Sequence, residues 1–445
     1  LNLVLRSDES TVVAEYEPQK QRSDAYQSEA ALETAFIKML SEQGYKYVSI
    51  KSEADLIANL RAQLEKLNGI TFTDAEWADF FKNNICDAKQ QDSAGKIVAK
   101  TEKIQNDAVQ SFVRADGRTQ NVTLIDKKNI HNNRLQVINQ YVETQGDHDT
   151  RYDVTILVNG LPLVHVELKR RGVPLKEAFN QIDRYQRDSF WAGCGLYEYV
   201  QIFVISNGTN TKYYSNSTRF NRIKELSDSR RGRKKKTSDS FEFTSFWADA
   251  NNKIIPDLVD FTKTFFARHT LLNILTRYCV FTSEKLLMVM RPYQIAATEK
   301  ILNKIQISTN YHKEGSLDAG GYVWHTTGSG KTLTSFKTAQ LAADLPFIDK
   351  VLFVVDRKDL DYQTIREYDR FEKGAANGND NTEILRRQFE NKDKHDKLKD
   401  YRIIVTTIQK LDNFIRKYPD HPIYSRHLVI VFDECHRSQF GDMHA

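Results

Sequence analysis

Cysteine is scarce in this chain, with four residues in 445. Cys86, Cys194, Cys279 and Cys435 lie far apart and form no C-x-x-C pair. This spacing excludes the paired ligands of a structural zinc site and the dense cysteine pattern of a small disulfide-stabilised secreted domain. We therefore expect reduced thiols and a cytoplasmic protein.

Long apolar runs and a strong charge imbalance are absent as well. No stretch approaches the ~20 apolar residues of a membrane-spanning helix, and no signal peptide is visible, so we expect no membrane partner. The chain is 40% hydrophobic and 28% charged, with a net charge of only +5. Disorder is therefore excluded, and any strongly basic surface must be local. The clearest basic run, residues 230–236, is interpreted as a surface loop, with a phosphate contact as the alternative.

The most specific motif that is present is His325-Thr-Thr-Gly-Ser-Gly-Lys-Thr332. It follows a short apolar run, residues 321–324, that is typical of a strand. It precedes residues 333–345, whose apolar side chains recur at helical spacing. A glycine loop between a strand and a helix N-terminus presents backbone N–H groups to phosphates.

Each residue type in this loop has a role in nucleotide binding. Gly328 and Gly330 allow the backbone to approach phosphate oxygens, because they have no Cβ, and Ser329 between them is a further ATP-binding residue. Lys331 can reach the β- and γ-phosphates, and the Thr332 hydroxyl can bind Mg²⁺. The motif departs from the full P-loop pattern, because His325 stands where that pattern has its first glycine. The sequence predicts an ATP site.

A second ATPase element lies near the C-terminal end of the sequence. Residues 427–432 are an apolar run of buried-strand type, followed by Asp433-Glu434-Cys435-His436. Acidic residues at the carboxyl end of such a strand lie where open α/β sheets bind ligands. Asp433 would hold Mg²⁺ and Glu434 would polarise the attacking water. A capping role would suit such a pair in isolation, but downstream of a P-loop it favours an ATPase.

These two motifs together resemble the first lobe of a superfamily 2 helicase or translocase. Arg291-Pro-Tyr-Gln294 resembles the adenine-reading element of that family, with Arg291 and Gln294 as ATP-binding residues. Residues 354–363 and 405–411 resemble its DNA-gripping motifs, although strand-end loops without a ligand are the alternative. The segment Asp-Arg-Lys-Asp-Leu-Asp within 354–363 is similar to the motor subunit of type I restriction endonucleases.

The N-terminal half contains a candidate nuclease site. Residues 151–158 and 163–169 are β-rich runs around a turn that contains Asn159-Gly160. Asp153, Glu167 and Lys169 have the order and spacing of the D…ExK nuclease fold. Two carboxylates can hold Mg²⁺ at a scissile phosphate, while the lysine orients water or stabilises transition-state charge. An E-x-K on a strand is also common by chance.

The register of this hairpin decides whether the two carboxylates meet. With a two-residue turn and no irregularity, Asp153 lies opposite Val166, and its carboxylate points away from that of Glu167. With a three-residue loop, Asp153 faces Glu167 and Val154 meets Val166. We therefore predict an odd-length loop or an equivalent bulge, with Asp153, Glu167 and Lys169 on one face.

Two further segments support a nuclease. Residues 177–185 are typical of a helix, and Gln181 and Tyr185 share one of its faces. This pair resembles the extra motif of the RecB-like nuclease branch, with an ordinary amphipathic helix as the alternative. Residues 26–33 resemble the acidic first helix of that fold, with Ser28 as N-cap. Glu33 would approach the metal or lie on a solvated helix face.

A nuclease core followed by a helicase lobe resembles the type I restriction endonuclease R subunit across essentially the whole chain. The resemblance implies an α/β fold, with a RecB-like D…ExK domain at residues 1–257 and a first RecA-like lobe at residues 258–445. It implies ATP and Mg²⁺ as cofactors, and double-stranded DNA plus methyltransferase (modification) and specificity subunits as partners. The implied activity is ATP-dependent DNA translocation coupled to Mg²⁺-dependent DNA cleavage.

Two other functions are compatible with these motifs. One is a single-chain repair helicase–nuclease. The other is a non-catalytic DNA-tethering scaffold, against which the intact set of Lys331, Asp433 and Glu434 argues. The sequence begins with Leu and ends at residue 445, soon after His436. We interpret it as a fragment, because the resemblance implies a second motor lobe and a C-terminal assembly region.

Overall fold

The computed structural model describes residues 11–18, 27–86, 93–147, 149–218, 237–326, 328–355, 382–391 and 401–432. The chain divides into two compact units. The first comprises Leu1–Phe281 and Lys285–Tyr293, and the second comprises Thr282–Glu284 and Gln294–Ala445. None of the helices in these described ranges combines the length and apolar content needed to cross a membrane.

The first unit contains both helices and strands. Its helices are α1 (Glu29–Glu42), α2 (Glu53–Asn68), α3 (Asp74–Phe80), α4 (Ser93–Gln105), α5 (Leu175–Asp188), α6 (Leu258–Thr264) and α7 (Arg268–Thr276). Its strands are β1 (Lys46–Tyr47), β2 (Val109–Val113), β3 (Thr119–Thr123), β4 (Leu135–Glu143), β5 (Thr150–Val158), β6 (Leu161–Leu168), β7 (Ile202–Ser206), β8 (Thr211–Ser215), β9 (Trp247–Ala248), β10 (Ile254–Ile255), β11 (Cys279–Phe281) and β12 (Leu287–Val289).

The helix α8 (Pro292–Asn310) leads from the first unit into the second. The second unit continues with α9 (Lys331–Ala343), β13 (Lys350–Val355), α10 (Thr382–Phe389), β14 (Ile403–Thr407), α11 (Ile408–Lys417) and β15 (Leu428–Phe432).

A six-stranded mixed sheet, in the order β1-β4-β5-β6-β7-β8, forms the centre of the first unit. The β4–β5, β5–β6 and β7–β8 pairs are antiparallel, whereas β1–β4 and β6–β7 are parallel. The central strand β6 is buried along its whole length. A parallel step requires a crossover, which α5 supplies between β6 and β7. Its Phe179 and Ile182 side chains are fully buried.

Local sequence signals explain the helices that flank this sheet. The Ser28 side chain accepts a hydrogen bond from the Ala31 N–H, which confirms the predicted N-cap of α1. In α2, Leu56, Leu60 and Leu64 recur every four residues and are buried on one face. Hydroxyl caps and apolar stripes of this kind are local features that sequence reasoning detects.

The predicted domain boundary at residue 257 falls inside the first compact unit. Phe261, Phe265 and Phe266, in and just after α6, are fully buried. Phe266 packs edge-on against Phe36 of α1, with ring centroids 5.4 Å apart. Phe265 packs against Tyr213 of β8 at 5.1 Å. This aromatic packing joins residues 258–266 to the first unit, which also contains residues 267–281 and 285–293.

In the second unit, β14, β13 and β15 form a parallel sheet with β13 in the middle. Phe353 and Val355 of β13 pack in one apolar cluster with Phe336 and Ala339 of α9. The alternate β13 residues pack in a second cluster with side chains of α10 and α11. Helices therefore cover both faces of the sheet, as a parallel α/β unit requires.

The prediction of a strand at residues 321–324 is wrong. Residues 321–326 adopt no regular secondary structure, and Tyr322 and Trp324 are 89% and 87% exposed. A strand requires a hydrogen-bonded neighbour, and none of the described strands pairs with this segment. The apolar residues alone did not reveal that dependence. The helix predicted after the glycine loop is confirmed as α9.

Candidate functional sites

The β5–β6 hairpin turns at Asn159-Gly160. Both residues have positive φ, 52° and 85°, as a two-residue type I′ turn requires. A Cβ on Gly160 would lie 2.7 Å from the Leu60 Cα, so only glycine fits there. Val158 pairs directly with Leu161. The three-residue form of the predicted loop is therefore wrong.

A bulge in β6 then changes the register. The successive pairs are Leu157–Pro162, Ile156–Val164 and Val154–Val166. Leu163 is the extra residue, and it directly follows Pro162, which has no N–H to donate to a strand ladder. The next positions along the two strands are Asp153 and Glu167. The predicted bulge and the predicted pairing of Val154 with Val166 are confirmed.

This register brings Asp153, Glu167 and Lys169 together. Asp153 Oδ2 accepts a hydrogen bond from the Leu168 N–H at 2.9 Å. Lys169 Nζ donates to Glu167 Oε1 at 2.9 Å and to the Leu168 carbonyl at 3.1 Å. The charge of Glu167 acts on the carboxyl group of Asp153, so the two carboxyl groups are electrostatic neighbours. The three residues form one polar group at the end of β6.

Burial makes it costly for both carboxyl groups to ionise. It raises the pKa of Asp153 to about 7, and the Glu167 charge adds to this shift. Burial also raises the pKa of Glu167 to about 7, although Lys169 opposes the shift. Two carboxyl groups in such contact share a proton near neutral pH unless another cation compensates their charge.

The donor set fits a hard divalent cation. Glu167 Oε2 is buried and has no hydrogen-bond partner, and carboxylate oxygens are the ligands that Mg²⁺ prefers. Nowhere in the described ranges, this site included, are three or more His, Cys, Asp or Glu side chains arranged to hold a metal, so the site offers two carboxyl groups only. Asp153 and Glu167 are therefore the candidate ligand pair.

The raised pKa values predict a trade-off between stability and function. The pKa of Asp153 is higher in the folded protein than its ordinary value of 3.8, so the folded state favours the protonated carboxyl group. The contribution of this group to the free energy of unfolding is therefore complete below pH ~4 and is lost as the pH rises through ~7. In EDTA, Asp153→Asn should therefore unfold at a higher temperature than the native protein, with an advantage that grows from pH 4.5 to pH 8. Each pKa unit corresponds to about 1.4 kcal/mol, so a gain of several degrees is expected at pH 8.

Thermal unfolding at the two pH values measures this effect. Asp107→Asn, at an exposed position, is the matched control and should show no such pH dependence. Equal or lower stability of Asp153→Asn at pH 8 would contradict the buried, proton-sharing pair.

Gln181 and Tyr185 lie one turn apart on α5, and the Gln181 amide donates to the Tyr185 hydroxyl. The same hydroxyl donates to the Arg151 carbonyl of β5 at 3.2 Å. Burial, followed by the charge of Glu167, raises the pKa of the Tyr185 phenol. The pair therefore faces the strand that carries Asp153.

Two acidic residues of the first helix lie near the site: Glu33, which was predicted, and Glu29, which sequence reasoning missed. Glu33 is buried, and the amides of Asn139 and Gln140 in β4 occupy its two oxygens. Glu29, one turn earlier, accepts a hydrogen bond from the Arg170 N–H at 3.2 Å. Burial is the main cause of the raised pKa of Glu167, and the Glu29 charge adds to it. The four-residue spacing of Glu29 and Glu33 could have indicated both.

The glycine loop of the second unit contains two glycines with left-handed backbone conformation. Gly328 and Gly330 have φ of 78° and 79°, a region that favours glycine. Gly330 is the N-cap of α9, so Lys331 and Thr332 occupy its first turn. Backbone N–H groups in a first turn have no partner within the helix and attract anions.

Gln294 contacts this loop directly. Its amide donates to the carbonyls of Ser329 at 3.1 Å and Gly330 at 3.3 Å. Burial and the Lys331 charge lower the pKa of His325, which places that imidazole near the lysine. Arg291 belongs to the first compact unit, whereas Gln294 belongs to the second.

Two family models match the chain. The model "Type I restriction enzyme R protein N terminus" matches residues 26–222, and "Type III restriction enzyme, res subunit" matches residues 287–445. The chain is 47% identical over 306 residues to the endonuclease subunit of the type I restriction enzyme EcoprrI from Escherichia coli, covering 68% of this chain and 91% of that relative. The chain belongs to the family of type I restriction enzyme endonuclease subunits.

The match to a second relative extends over more of this chain. The SsaAORF53P endonuclease subunit from Staphylococcus saprophyticus is 38% identical over 430 residues, which is 94% of this chain and 41% of that relative. The endonuclease-subunit chain thus spans less than half the length of its staphylococcal relative. The two family matches agree with a mixed α/β fold that has a nuclease-like N-terminal region and a helicase-like second region.

Several predicted elements of this endonuclease-subunit chain lie outside the described residues. They are the acidic pair Asp433 and Glu434, the segment 356–363 and the basic run 230–236. The strand before the acidic pair is confirmed as β15, whose Phe432 pairs with Val354. Cys86, Cys194 and Cys279 are free thiols, and Cys435 is outside the described residues.

Proposed function

We propose that this chain carries the nuclease and part of the motor of a type I restriction endonuclease, which moves double-stranded DNA with ATP and cleaves it with Mg²⁺. The observation that carries the proposal is the group of Asp153, Glu167 and Lys169, which the β6 bulge aligns in a chain that also contains a P-loop. We assign the first unit to the RecB-like D…ExK nucleases. The second unit is assigned as a first RecA-like lobe.

In the nuclease, Asp153 and Glu167 hold Mg²⁺. When bound, this ion supplies charge neutralisation at the scissile phosphate and a more acidic water. Lys169 lies 2.9 Å from Glu167 Oε1. Although burial opposes it, the Glu167 charge raises the pKa of Lys169, so its ammonium remains charged and can orient the water or stabilise developing phosphate charge.

Three other residues support this arrangement. Gln181 and Tyr185 hold the β5 backbone at Arg151, two residues before Asp153. Glu33 fixes the amides of β4, the strand beside β5. We assign Glu33 a positioning role, because its two oxygens hold amides of β4.

In the motor, residues 328–332 cradle the phosphates of ATP. Lys331 neutralises phosphate charge, and Thr332 and Asp433 bind the Mg²⁺ that accompanies ATP. Glu434 positions the attacking water and Gln294 contacts the nucleotide, whereas the ATP-binding role of Arg291 stays a prediction from the resemblance. The contact of Gln294 with the loop carbonyls supports its place at this site.

Methyltransferase (modification) and specificity subunits are the proposed partners, since they would supply recognition of the target sequence. The cytoplasm is the proposed location, because the three free thiols remain reduced there. The names of the relatives favour a restriction subunit over a single-chain repair helicase–nuclease or a DNA-tethering scaffold.

The test uses the complete subunit assembled with both partners. Circular DNA that carries an unmodified target should be cleaved only when ATP and Mg²⁺ are both present, whereas DNA without the target should remain intact. Cleavage that proceeds equally without ATP would overturn the coupling of motor and nuclease.

Tyr185→Phe should slow this cleavage without changing ATP hydrolysis. The substitution removes the hydroxyl that joins Gln181 to the Arg151 carbonyl. A hydrogen bond worth about 1 kcal/mol corresponds to a loss of roughly fivefold in rate. Tyr311→Phe, at a 70% exposed position directly after α8, is the control. An unchanged cleavage rate in Tyr185→Phe would remove Tyr185 from the site.

A further inference from the structure

We propose that His165 is a positioning residue of the nuclease site, which orients the Glu167 carboxylate toward the bound divalent metal. The proposal rests on the assignment of Asp153 and Glu167 as metal ligands. The His165 side chain is fully buried, and its Nε2 lies 3.4 Å from Glu167 Oε2. Among the described residues, neither of these two atoms has a hydrogen-bond partner, so each is available to the other.

The pleat of β6 directs the two side chains to the same face, because His165 and Glu167 are two residues apart. Across the hairpin, His165 pairs with Thr155 of β5. The Thr155 hydroxyl lies 3.3 Å from His165 Nδ1 and 3.4 Å from the Tyr197 hydroxyl. The imidazole therefore has a polar neighbour at each nitrogen, and one of them is the proposed metal ligand.

Aromatic rings hold this imidazole in place. Tyr152, Tyr185, Phe190 and Phe203 pack edge-to-face around it, with ring centroids 5.8, 6.0, 5.9 and 6.4 Å away. Rings at these separations leave the imidazole no free rotation to other partners. Nε2 is consequently held toward Glu167.

The charge of Glu167 decides which nitrogen carries the proton. A neutral imidazole has one N–H, and its most favourable position is on Nε2, where it faces an anionic oxygen. The Thr155 hydroxyl can turn its hydrogen toward Nδ1 to complete the arrangement. Donation to Oε2 restrains rotation of the carboxyl group. Hydrogen bonds that orient a ligand in this way typically change metal affinity or activity by about 10–100-fold.

The experiment compares three substitutions in the complete subunit within its complex. His165→Leu removes both nitrogens while retaining bulk, His165→Gln retains an amide donor that can reach Oε2, and Thr155→Val removes only the hydroxyl. The direct measurement is Mn²⁺ binding by calorimetry without ATP, with Asp153→Asn defining the signal of the nuclease site. The Mg²⁺ dependence of cleavage and the rate of ATP hydrolysis are measured on the same samples.

In His165→Leu, the Mn²⁺ affinity should fall about tenfold or more, and the Mg²⁺ concentration needed for cleavage should rise by a similar factor. In His165→Gln, both quantities should remain within roughly threefold of the native values. Thr155→Val should give an intermediate loss, and ATP hydrolysis should be unchanged in all three. Rescue by the glutamine separates orientation from packing, since a purely structural role would not restore metal affinity selectively.

Native Mn²⁺ affinity in a folded His165→Leu protein, or equal losses in His165→Leu and His165→Gln, would overturn the positioning role alone. If Asp153→Asn itself retains Mn²⁺ binding and cleavage, the ligand assignment fails and the role of His165 fails with it. Should His165→Leu not fold, native metal affinity in Thr155→Val together with a tenfold loss in His165→Gln would overturn the proposal.

Discussion

Lys331→Ala in the complete subunit should reduce ATP hydrolysis by about 10³-fold or more, the range for removing a charge that stabilises a transferring phosphoryl group. DNA translocation should disappear with it, as should the cleavage that depends on translocation. The fold should survive, because Lys331 is the first residue of α9 and alanine is the strongest helix former. The loss would therefore report phosphate chemistry and not unfolding.

The control is Lys304→Ala, at an exposed position of α8 in the same unit. Steady-state ATP hydrolysis with and without DNA measures the effect, and thermal unfolding tests the fold. Near-native turnover in Lys331→Ala, with a native unfolding temperature, would overturn the assignment of the glycine loop as the ATP site.

Local patterns in the sequence were sufficient to predict the elements around this loop. The helix after the loop and the strand before Asp433 were both anticipated, because helical spacing and apolar runs are recorded in neighbouring residues. The strand expected at residues 321–324 failed for the opposite reason. Its formation depends on a partner strand, which the residues of the segment do not specify.

The nuclease hairpin shows how far chemistry can refine such a prediction. The demand that Asp153 and Glu167 share a face excluded a regular two-residue hairpin, so an irregularity was anticipated. The location of the irregularity was not anticipated. A two-residue Asn-Gly turn followed by a bulge beside Pro162 places Asp153 and Glu167 on one face, and so does a three-residue loop. Side-chain packing decides between such solutions.

Sequence reasoning missed two residues near Glu167. Glu29 and His165 approach Glu167 from α1 and from β6 itself, yet an acidic residue in a helix and a histidine in an apolar strand usually have ordinary structural roles. The first compact unit extends past residue 257 for a similar reason, since the packing of Phe265 on Tyr213 is invisible in sequence. Only the folded structure reveals these neighbours.

Asp153→Ala and Glu167→Ala should each lower DNA cleavage by about 10³-fold or more, while DNA-stimulated ATP hydrolysis remains near its native rate. The two carboxylates lie in the first unit and the P-loop lies in the second, so removing one metal site leaves the residues of the other unchanged. Cleavage of circular DNA and ATP hydrolysis, measured on the same assembled complex, test the separation.

Asp153→Asn makes this test sharper than alanine does. Its amide oxygen can still accept the hydrogen bond that the Leu168 N–H donates to Asp153 Oδ2 at 2.9 Å, so the hairpin keeps its polar contact and loses only the charge. If metal binding is the function of Asp153, Asn and Ala should abolish cleavage equally, although Asn should be the more stable in EDTA. Cleavage that survives in Asp153→Asn but not in Asp153→Ala would assign Asp153 a structural role. Loss of both cleavage and ATP hydrolysis in a folded variant would show that the two sites are coupled or that the carboxylates are misassigned.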